Sequence, residues 1–343
     1  IKRDNVYFAA RNFRCRGKLE FESIKLCQNV IGRTDWDKAC TEQINKNIRY
    51  FHCNETLRDA FYRNQWSLKN CKRHSLFVSQ WYNPIKGFHH VLYAVKILSE
   101  VYPDIHVYTT GENPLDKNIR KRILRSHYTN YIGKLIRQYK LEKHVTFLGT
   151  LNPEDMCMAY INTHIFVSAS SIENSPNSVG EAMILGVPTI SSDVGGVKNM
   201  LVHEQEGYIY PFDEPYMLAY YIKKIFDNDE LALNFSKNAK CHAMTTHGRQ
   251  RNSERTRLIY DWIYNGTCCT GNGLHNRIYP IKSICRRLSC FYTAAMLGVF
   301  CDNVMDCTVY RKIHAPNVFL GDYNIVVDRL HRCFFAVAGR RSK

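Results

Sequence analysis

From Ser75 onward the chain alternates short apolar runs with longer segments whose apolar residues recur every three or four positions. The runs Leu76-Phe-Val-Ser79, Ile105–Thr109, Val145–Leu148, His164–Ala169, Thr189–Ser191 and Tyr208–Tyr210 predict strands. Between them, His89–Val101 sets Val91, Leu92, Val95, Leu98 and Val101 on one helical face, and residues 118–140 predict a basic amphipathic helix. Further helices are expected around Val197–His203, over 214–228 and 230–245, and from Gly248 to Tyr264, a segment carrying Arg251, Arg255 and Trp262. Strands separated by helices imply an α/β fold with a doubly wound parallel sheet over residues 75–245. Ligands bind such sheets at the carboxyl ends of the strands.

Two carboxylates stand at one of those ends, in Glu173-Asn-Ser-Pro-Asn-Ser-Val-Gly-Glu181. Pro176 forbids a helix through Glu173, so the first carboxylate is expected on the loop after the His164–Ala169 strand. Asn177 and Ser178 suit an N-cap, and Val179–Leu185 continues as a helix that Gly186 and Pro188 end. Glu181 is therefore expected in the first helical turn, beside unpaired N–H groups that suit a diphosphate. A glutamate there is also favoured by the helix dipole alone, so the pair by itself leaves function open.

The surrounding motifs narrow the choice. Upstream stand Asn83-Pro-Ile-Lys86-Gly87-Phe and Val145-Thr-Phe-Leu-Gly149; downstream stand Gly186-Val-Pro188, Thr189-Ile-Ser-Ser-Asp193-Val-Gly195-Gly196 and Gly207-Tyr-Ile-Tyr-Pro211. This ordered set resembles the C-terminal domain of family 4 glycosyltransferases. The resemblance implies a GT-B fold, a retaining outcome, no metal and no cofactor beyond the nucleoside-diphosphate sugar that serves as donor. It implies Glu173 and Lys86 as catalytic residues, with Glu173 orienting the sugar and Lys86 on the diphosphate. Glu181 would take the ribose hydroxyls, and Asn177 and Ser178 the phosphates. Phe147 and Gly149 would adjoin the base, although Phe147 equally suits the core, and Gly195 and Gly196 would allow close backbone approach, although both equally suit a turn. Many members have an arginine five residues before the lysine; here Trp81 stands there, and Gln80 beside it is the candidate neutral donor.

The pattern of residues 1–74 predicts no complete strand-helix-strand unit. Val30-Ile-Gly-Arg-Thr-Asp-Trp-Asp37 and Tyr50-Phe-His-Cys-Asn-Glu-Thr-Leu-Arg58 resemble the closing part of the N-terminal acceptor domain in capsule and exopolysaccharide members. The expectation is a remnant of that domain, with Arg33 and Asp35 on the acceptor side and residues 246–264 as the helix that crosses back to it. Residues 265–343 match nothing in the family and are expected to be of unknown or non-native character. The resemblance implies a hexosyltransferase acting on a glycan or polyprenyl-linked acceptor. A nucleotide-sugar-binding remnant without transfer activity is the alternative.

Charge changes the picture only by its distribution. Residues 1–75 hold 16 Lys/Arg against 8 Asp/Glu, residues 76–245 hold 16 against 17, and residues 246–343 hold 15 against 6. A basic face outside the neutral nucleotide domain suits an anionic membrane surface or simply solvent. Nucleic acid is not expected, for lack of a helix-turn-helix, finger or RNP-like motif. The 14 cysteines include no Cys-x2-Cys and no zinc-type spacing, so no metal site is expected and those of the catalytic region read as reduced thiols. No apolar run reaches the length of a membrane span, the longest being Cys290–Cys301. A cytoplasmic protein, or one peripheral at the inner membrane face, is expected.

Overall fold

The structure, a computed structural model, describes residues 6–116 and 125–265, apart from the side chains of residues 6–9 and 265. The first turns expected of the 118–140 helix and nearly all of the 265–343 tail lie outside the described residues. The chain divides into two compact units: one takes residues up to Gly32, Lys38–Cys53 and those from Ser253, the other Arg33–Asp37 and Asn54–Asn252.

Contrary to the expectation from the sequence pattern, a complete strand-helix-strand motif is present before residue 75. In the first unit, β1 (Asn29–Gly32) and β2 (Arg49–His52), joined through the helix Asp35–Ile44, pair in parallel with Val30 opposite Tyr50, the strands being too short for their period to stand out. A small core of Ile24, Cys27, Val30 and Ile48 closes under the helix Val6–Leu26. The Asn45 amide donates to the carbonyls of Ile24 (3.0 Å) and Cys27 (2.7 Å), holding the turn into β1. The helix Arg249–Asn265 matches the expected last helix. Within this unit its Trp262 meets Phe51 edge-on at 5.1 Å, and the Arg49 guanidinium lies 4.9 Å from the Trp262 ring.

The second unit carries a six-stranded, all-parallel sheet. Its strands are β3 (Lys72–Val78), β4 (His106–Thr109), β5 (Val145–Phe147), β6 (Thr163–Ser168), β7 (Thr189–Ser192) and β8 (Gly207–Tyr210), in the spatial order β5-β4-β3-β6-β7-β8. β6 is buried at every position because helices cover both sheet faces, which explains its unbroken apolar run. The chain order reverses between β3 and β6, whose register sets Leu76 opposite Ile165 and Phe77 opposite Phe166. Loops leaving these two strands are therefore neighbours.

Local chemistry sets the helix limits. Phe88–Leu98 buries Phe88, Val91, Leu92, Val95 and Leu98. Val101, expected on that face, is 59% exposed because the helix stops at Leu98 and the chain turns through Ser99. The helix after the undescribed segment runs His127–Gln138; Ser126 starts it by accepting from the Thr129 amide, so it begins later than the basic pattern suggests. Asn152 and Asn228 cap Pro153–Ile161 and Asp229–Thr246 in the same way. Around Val197, where a helix to His203 is expected, a single 3-10 turn forms over Val197–Asn199. The His203 ring then accepts from the Ile209 amide at 2.9 Å, a structural role.

The expected domain boundary at Ser75 is too late. Phe61 is fully buried against Tyr160, and Trp66 is locked by its indole N–H on the Thr163 carbonyl and its amide on the Leu185 carbonyl, both 2.8 Å. Packing, which periodicity does not report for a loop-rich stretch, draws residues 54–74 into this core. The described cysteines are all free thiols. Among the described residues no helix is long and apolar enough to cross a membrane.

His164 is fully buried in β6, stacked on Phe226 at 5.1 Å, and neither ring nitrogen has a hydrogen-bond partner. Burial first, then the nearby Arg73 and His74 charges, push it down from 6.5 to about 4. The unfolded chain binds a proton that the folded chain refuses, so this histidine's share of stability is complete above its unfolded value and is lost as pH falls toward about 4. The slope for one such group is at most about 1.4 kcal/mol per pH unit. Denaturant unfolding between pH 7.5 and 5 should show a shallower acid-side fall for His164→Phe than for the native chain; equal slopes would refute the assignment.

Candidate functional site

The site is built where the loops after β3 and β6 meet. After β3, the Asn83 side chain accepts from the Ile85 amide, Pro84 presets the first turn, and one 3-10 turn, Pro84–Lys86, forms. Gly87 ends it in a left-handed conformation, φ 67°, against the opposite loop: a Cβ there would lie 1.8 Å from the Ala169 carbonyl oxygen. The Ser171 amide donates to the Ile85 carbonyl at 2.7 Å, joining the loops backbone to backbone. Lys86 Nζ is thereby brought 2.8 Å from Glu173 Oε1, and Ser170 Oγ donates to the same oxygen at 2.8 Å. Glu173 is 7% exposed, and neither bond uses its Oε2. Lysine and carboxylate, read separately in the sequence, form one nearly buried pair.

The next helix, Asn177–Leu185, has Pro176 as its N-cap, and no side chain caps it. Asn177 and Ser178 are therefore its first two residues and not caps, because Pro176 already has the extended φ and ψ that a cap requires. Their uncapped amides end the helix on its positive pole. Glu181 falls in the second turn, not the first, with its side chain turned into the protein at 7% exposure. Arg58 donates to its Oε1 from Nε (3.0 Å) and Nη2 (2.7 Å), and the Tyr160 hydroxyl reaches Oε2 at 3.4 Å. Burial raises the Glu181 carboxyl above its ordinary value, and the Arg58 charge opposes that shift.

Gly195 and Gly196 follow β7 and press on the Glu173 loop. A Cβ on Gly195 would lie 1.6 Å from the Glu173 carbonyl oxygen, and one on Gly196 would lie 2.3 Å from that of Asn174. Their close approach is to protein backbone, which fixes how Glu173 is presented. Asn174 is buried in turn: its amide donates to Asp37 Oδ2 at 3.0 Å and its carbonyl accepts from Thr34 Oγ1 at 2.6 Å. Thr34 and Asp37 form a capping box at the start of the helix Asp35–Ile44.

Arg33 donates from Nη1 to Glu55 and, at 3.2 Å, to the Asn177 side chain, so it lies at the start of the Asn177–Leu185 helix. Asp35 exchanges two hydrogen bonds with Asn199, from its amide (3.1 Å) and to its carboxylate (2.8 Å). Gln80 is half-buried in the loop after β3. Trp81 is fully buried, 5.4 Å from Phe147 and 6.2 Å from Phe88, so this position is core. Phe147 belongs to that aromatic cluster. Gly149, beyond it, pairs with Gly111, and a Cβ there would meet nothing within 4 Å.

Sequence reasoning did not single out Arg58, Tyr160, Thr34, Asp37, Asn174 or His247 as site residues. His247 donates from Nδ1 to the Glu55 carbonyl at 2.8 Å, and its other nitrogen faces Gly180, where a Cβ would lie 2.5 Å away. The available signal was the concentration of polar residues in Gly-Arg-Thr-x-Trp-Asp and Cys-Asn-Glu-x-Leu-Arg, both of which converge on the Asn177–Leu185 helix. A cavity of about 1050 Å³ lined by Gln65, Lys69, Arg73, Asp229 and Lys240 opens at the amino end of β3, away from all these groups.

Residues 59–242 match the family model of glycosyl transferases group 1. The chain belongs to this family. The group 1 chain is 28% identical over 193 residues to spore coat protein SA of Bacillus subtilis, covering 55% of this chain and 49% of that one. It is 24% identical over 199 residues to the uncharacterized glycosyltransferase YqgM of the same organism, covering 58% and 52%. The chain spans about half the length of the Bacillus subtilis relatives it matches. Among solved structures, sucrose-phosphate synthase from Thermosynechococcus elongatus superposes with a TM-score of 0.62 at 18% identity, over 74% of this chain and 63% of that one. HepE from Anabaena in complex with UDP gives 0.57 at 17%, over 68% and 63%. The fold class is α/β of the GT-B type.

Two glycines separate contact from conformation. Gly195→Ala meets a backbone oxygen at 1.6 Å with φ 52°, whereas Gly149→Ala meets nothing and bears only the left-handed conformation, φ 74°. The first should destabilise by more than about 2 kcal/mol, the second by about 1 to 2 kcal/mol. Chemical denaturation of both variants checks the order, and equal losses would mean that the Glu173 loop yields to Gly195.

Proposed function

We propose that this chain carries the donor site of a family 4, retaining glycosyltransferase of the capsule or exopolysaccharide type. It would move a hexosyl group from a nucleoside-diphosphate sugar to a glycan or polyprenyl-linked acceptor. The observation that carries the reading is the Lys86–Glu173 pair beside an uncapped helix terminus, at the point where the strand order reverses. The ribose hydroxyls bind Glu181, and the diphosphate lies on the first amides of Asn177–Leu185 with Lys86. Glu173, free at Oε2, orients the sugar. As the glycosidic bond breaks, negative charge grows on the leaving diphosphate; the ammonium and the helix amides stabilise it with little rearrangement. The acceptor oxygen attacks from the face that the diphosphate leaves, bonding to the anomeric carbon as the sugar–phosphate bond breaks, and the acceptor's hydroxyl proton passes to the departing diphosphate.

With Trp81 in the core, the second cation at the diphosphate is Arg33, beside Asn177; Gln80 is the neutral donor on the opposite loop. No metal is assigned, since these groups supply the phosphate-binding charge. Asp35 remains an acceptor-side candidate. UDP and UDP-glucose occur in complexes of HepE, to which the fold is similar, which makes UDP the first nucleotide to try. The excess of basic residues at the two ends of the chain supports work at the cytoplasmic face of a membrane, held peripherally by anionic lipid. A second reading, nucleotide-sugar binding without transfer, rests on the same residues, since the Lys86–Glu173 pair and the uncapped helix start can hold a nucleotide sugar whether or not an acceptor is engaged.

Single and combined variants test the roles. Glu181→Ala should weaken nucleoside-diphosphate binding about tenfold or more in calorimetry, since charge-assisted bonds contribute about 1.5 to 3 kcal/mol. Unchanged affinity of the folded variant would remove the ribose assignment.

Lys86→Ala should lower turnover by about two orders of magnitude in a transfer assay with mixed nucleotide sugars. Because Lys86 and Glu173 share one bond, adding Glu173→Gln to Lys86→Ala should lower it by much less than the product of the two single losses. Activity that persists without Lys86, or that vanishes with a chelator, would overturn the mechanism, and binding without any transfer would select the second reading.

A further inference from the structure

Glu181 makes an asymmetric set of contacts. Both Arg58 bonds, at 3.0 and 2.7 Å, end on Oε1, while Oε2 accepts only the long bond from Tyr160, at 3.4 Å. A carboxylate oxygen has two lone pairs, so Oε1 is filled and Oε2 keeps accepting capacity. Arg58 is itself anchored. It is the residue before the helix Asp59–Arg63, in an extended conformation, and its guanidinium carbon lies 4.8 Å from the ring centroid of the fully buried Phe61. A planar, always-charged group laid on an aromatic ring loses little freedom in holding its partner.

We infer that Arg58 is a positioning residue of the donor site, holding the Glu181 carboxylate by Oε1 so that Oε2 is presented to the ribose of the bound nucleotide. The inference rests on the reading of Glu181 as the ribose carboxylate. Arg58 stays in place when the nucleotide binds and does not compete with it, because ribose and guanidinium use different oxygens. It also supplies the counter-charge that lets a buried acid stay ionised. Burial pushes the Glu181 carboxyl up, Arg58 and the Tyr160 hydroxyl oppose the shift, and Glu55 adds to it. Among the described residues, the Cys157 thiol, one helical turn before Tyr160, and His247, against Gly180, also lie near it. Without the arginine the carboxyl takes up a proton more readily, and a protonated carboxyl loses accepting capacity toward a hydroxyl.

The test is calorimetric titration of the full chain with UDP, GDP and ADP, each at pH 8 and pH 6; the phosphate's own titration is common to all variants. Arg58→Ala should weaken binding about tenfold at pH 8 and by a larger factor at pH 6. Arg58→Lys, which keeps the charge but not the paired donors, should lose less and follow the native pH dependence. The double variant Arg58→Ala/Glu181→Gln should show no more pH dependence than the native chain, because the titrating carboxyl is gone. Arg58 is 43% exposed, so its truncation leaves little void, and melting curves identify any variant that fails to fold. Native affinity in Arg58→Ala at both pH values, or tighter binding, would overturn the inference while leaving the ribose carboxylate intact. A native chain that binds none of the three nucleotides would overturn the donor-site reading, and this inference with it.

Discussion

The parallel pairing of β3 with β6 is the constraint on which the rest depends. Chain order runs outward from β3 to β5 on one side and from β6 to β8 on the other, so consecutive connections diverge at this junction. The two loops that leave it close on each other through the Ser171–Ile85 bond and the contact of Gly87 with Ala169. An ammonium from one loop and a carboxylate from the other then meet out of water. Such a pair stabilises little by itself, but removing one partner leaves a buried charge that costs about 3 to 5 kcal/mol, so each holds the other in place.

Around that pair the backbone is packed without tolerance. Gly195 and Gly196 approach the Glu173 loop so closely that side chains are excluded, and Asn174 closes the far side by using both ends of its amide on Thr34 and Asp37. The Asn174 amide is bonded at both ends and Lys86 and Ser170 hold one oxygen of Glu173, which restrains the loop that carries the carboxylate. Rigidity at this point suits a site that must meet developing charge with fixed donors.

The two carboxylates of the motif occupy different electrostatic settings. Glu173 has its cation across the strand reversal and a serine hydroxyl on the same oxygen; Glu181 has an arginine from a preceding segment and a tyrosine hydroxyl on the other oxygen. Both leave one oxygen able to accept, and the uncapped helix start lies between them along the chain.

Much of this was legible from the sequence alone. The period of the apolar residues determined the parallel sheet, Pro176 determined that Glu173 sits on a loop, and Gly186 ended the following helix, because each is a local consequence of backbone sterics and burial. The motif order also pointed to Lys86 and both glutamates. Which residues those groups touch was decided only by the tertiary structure. Arg58 and Glu181 are far apart in sequence, as are Thr34 and Asn174, and no local propensity encodes a contact across such a separation. The same holds for Trp81, which a motif comparison places at a phosphate position and packing places in the core, and for residues 54–74, which have weak periodicity yet bury Phe61 and Trp66. Local chemistry chose the elements; the strand reversal and the packing around it chose the partners.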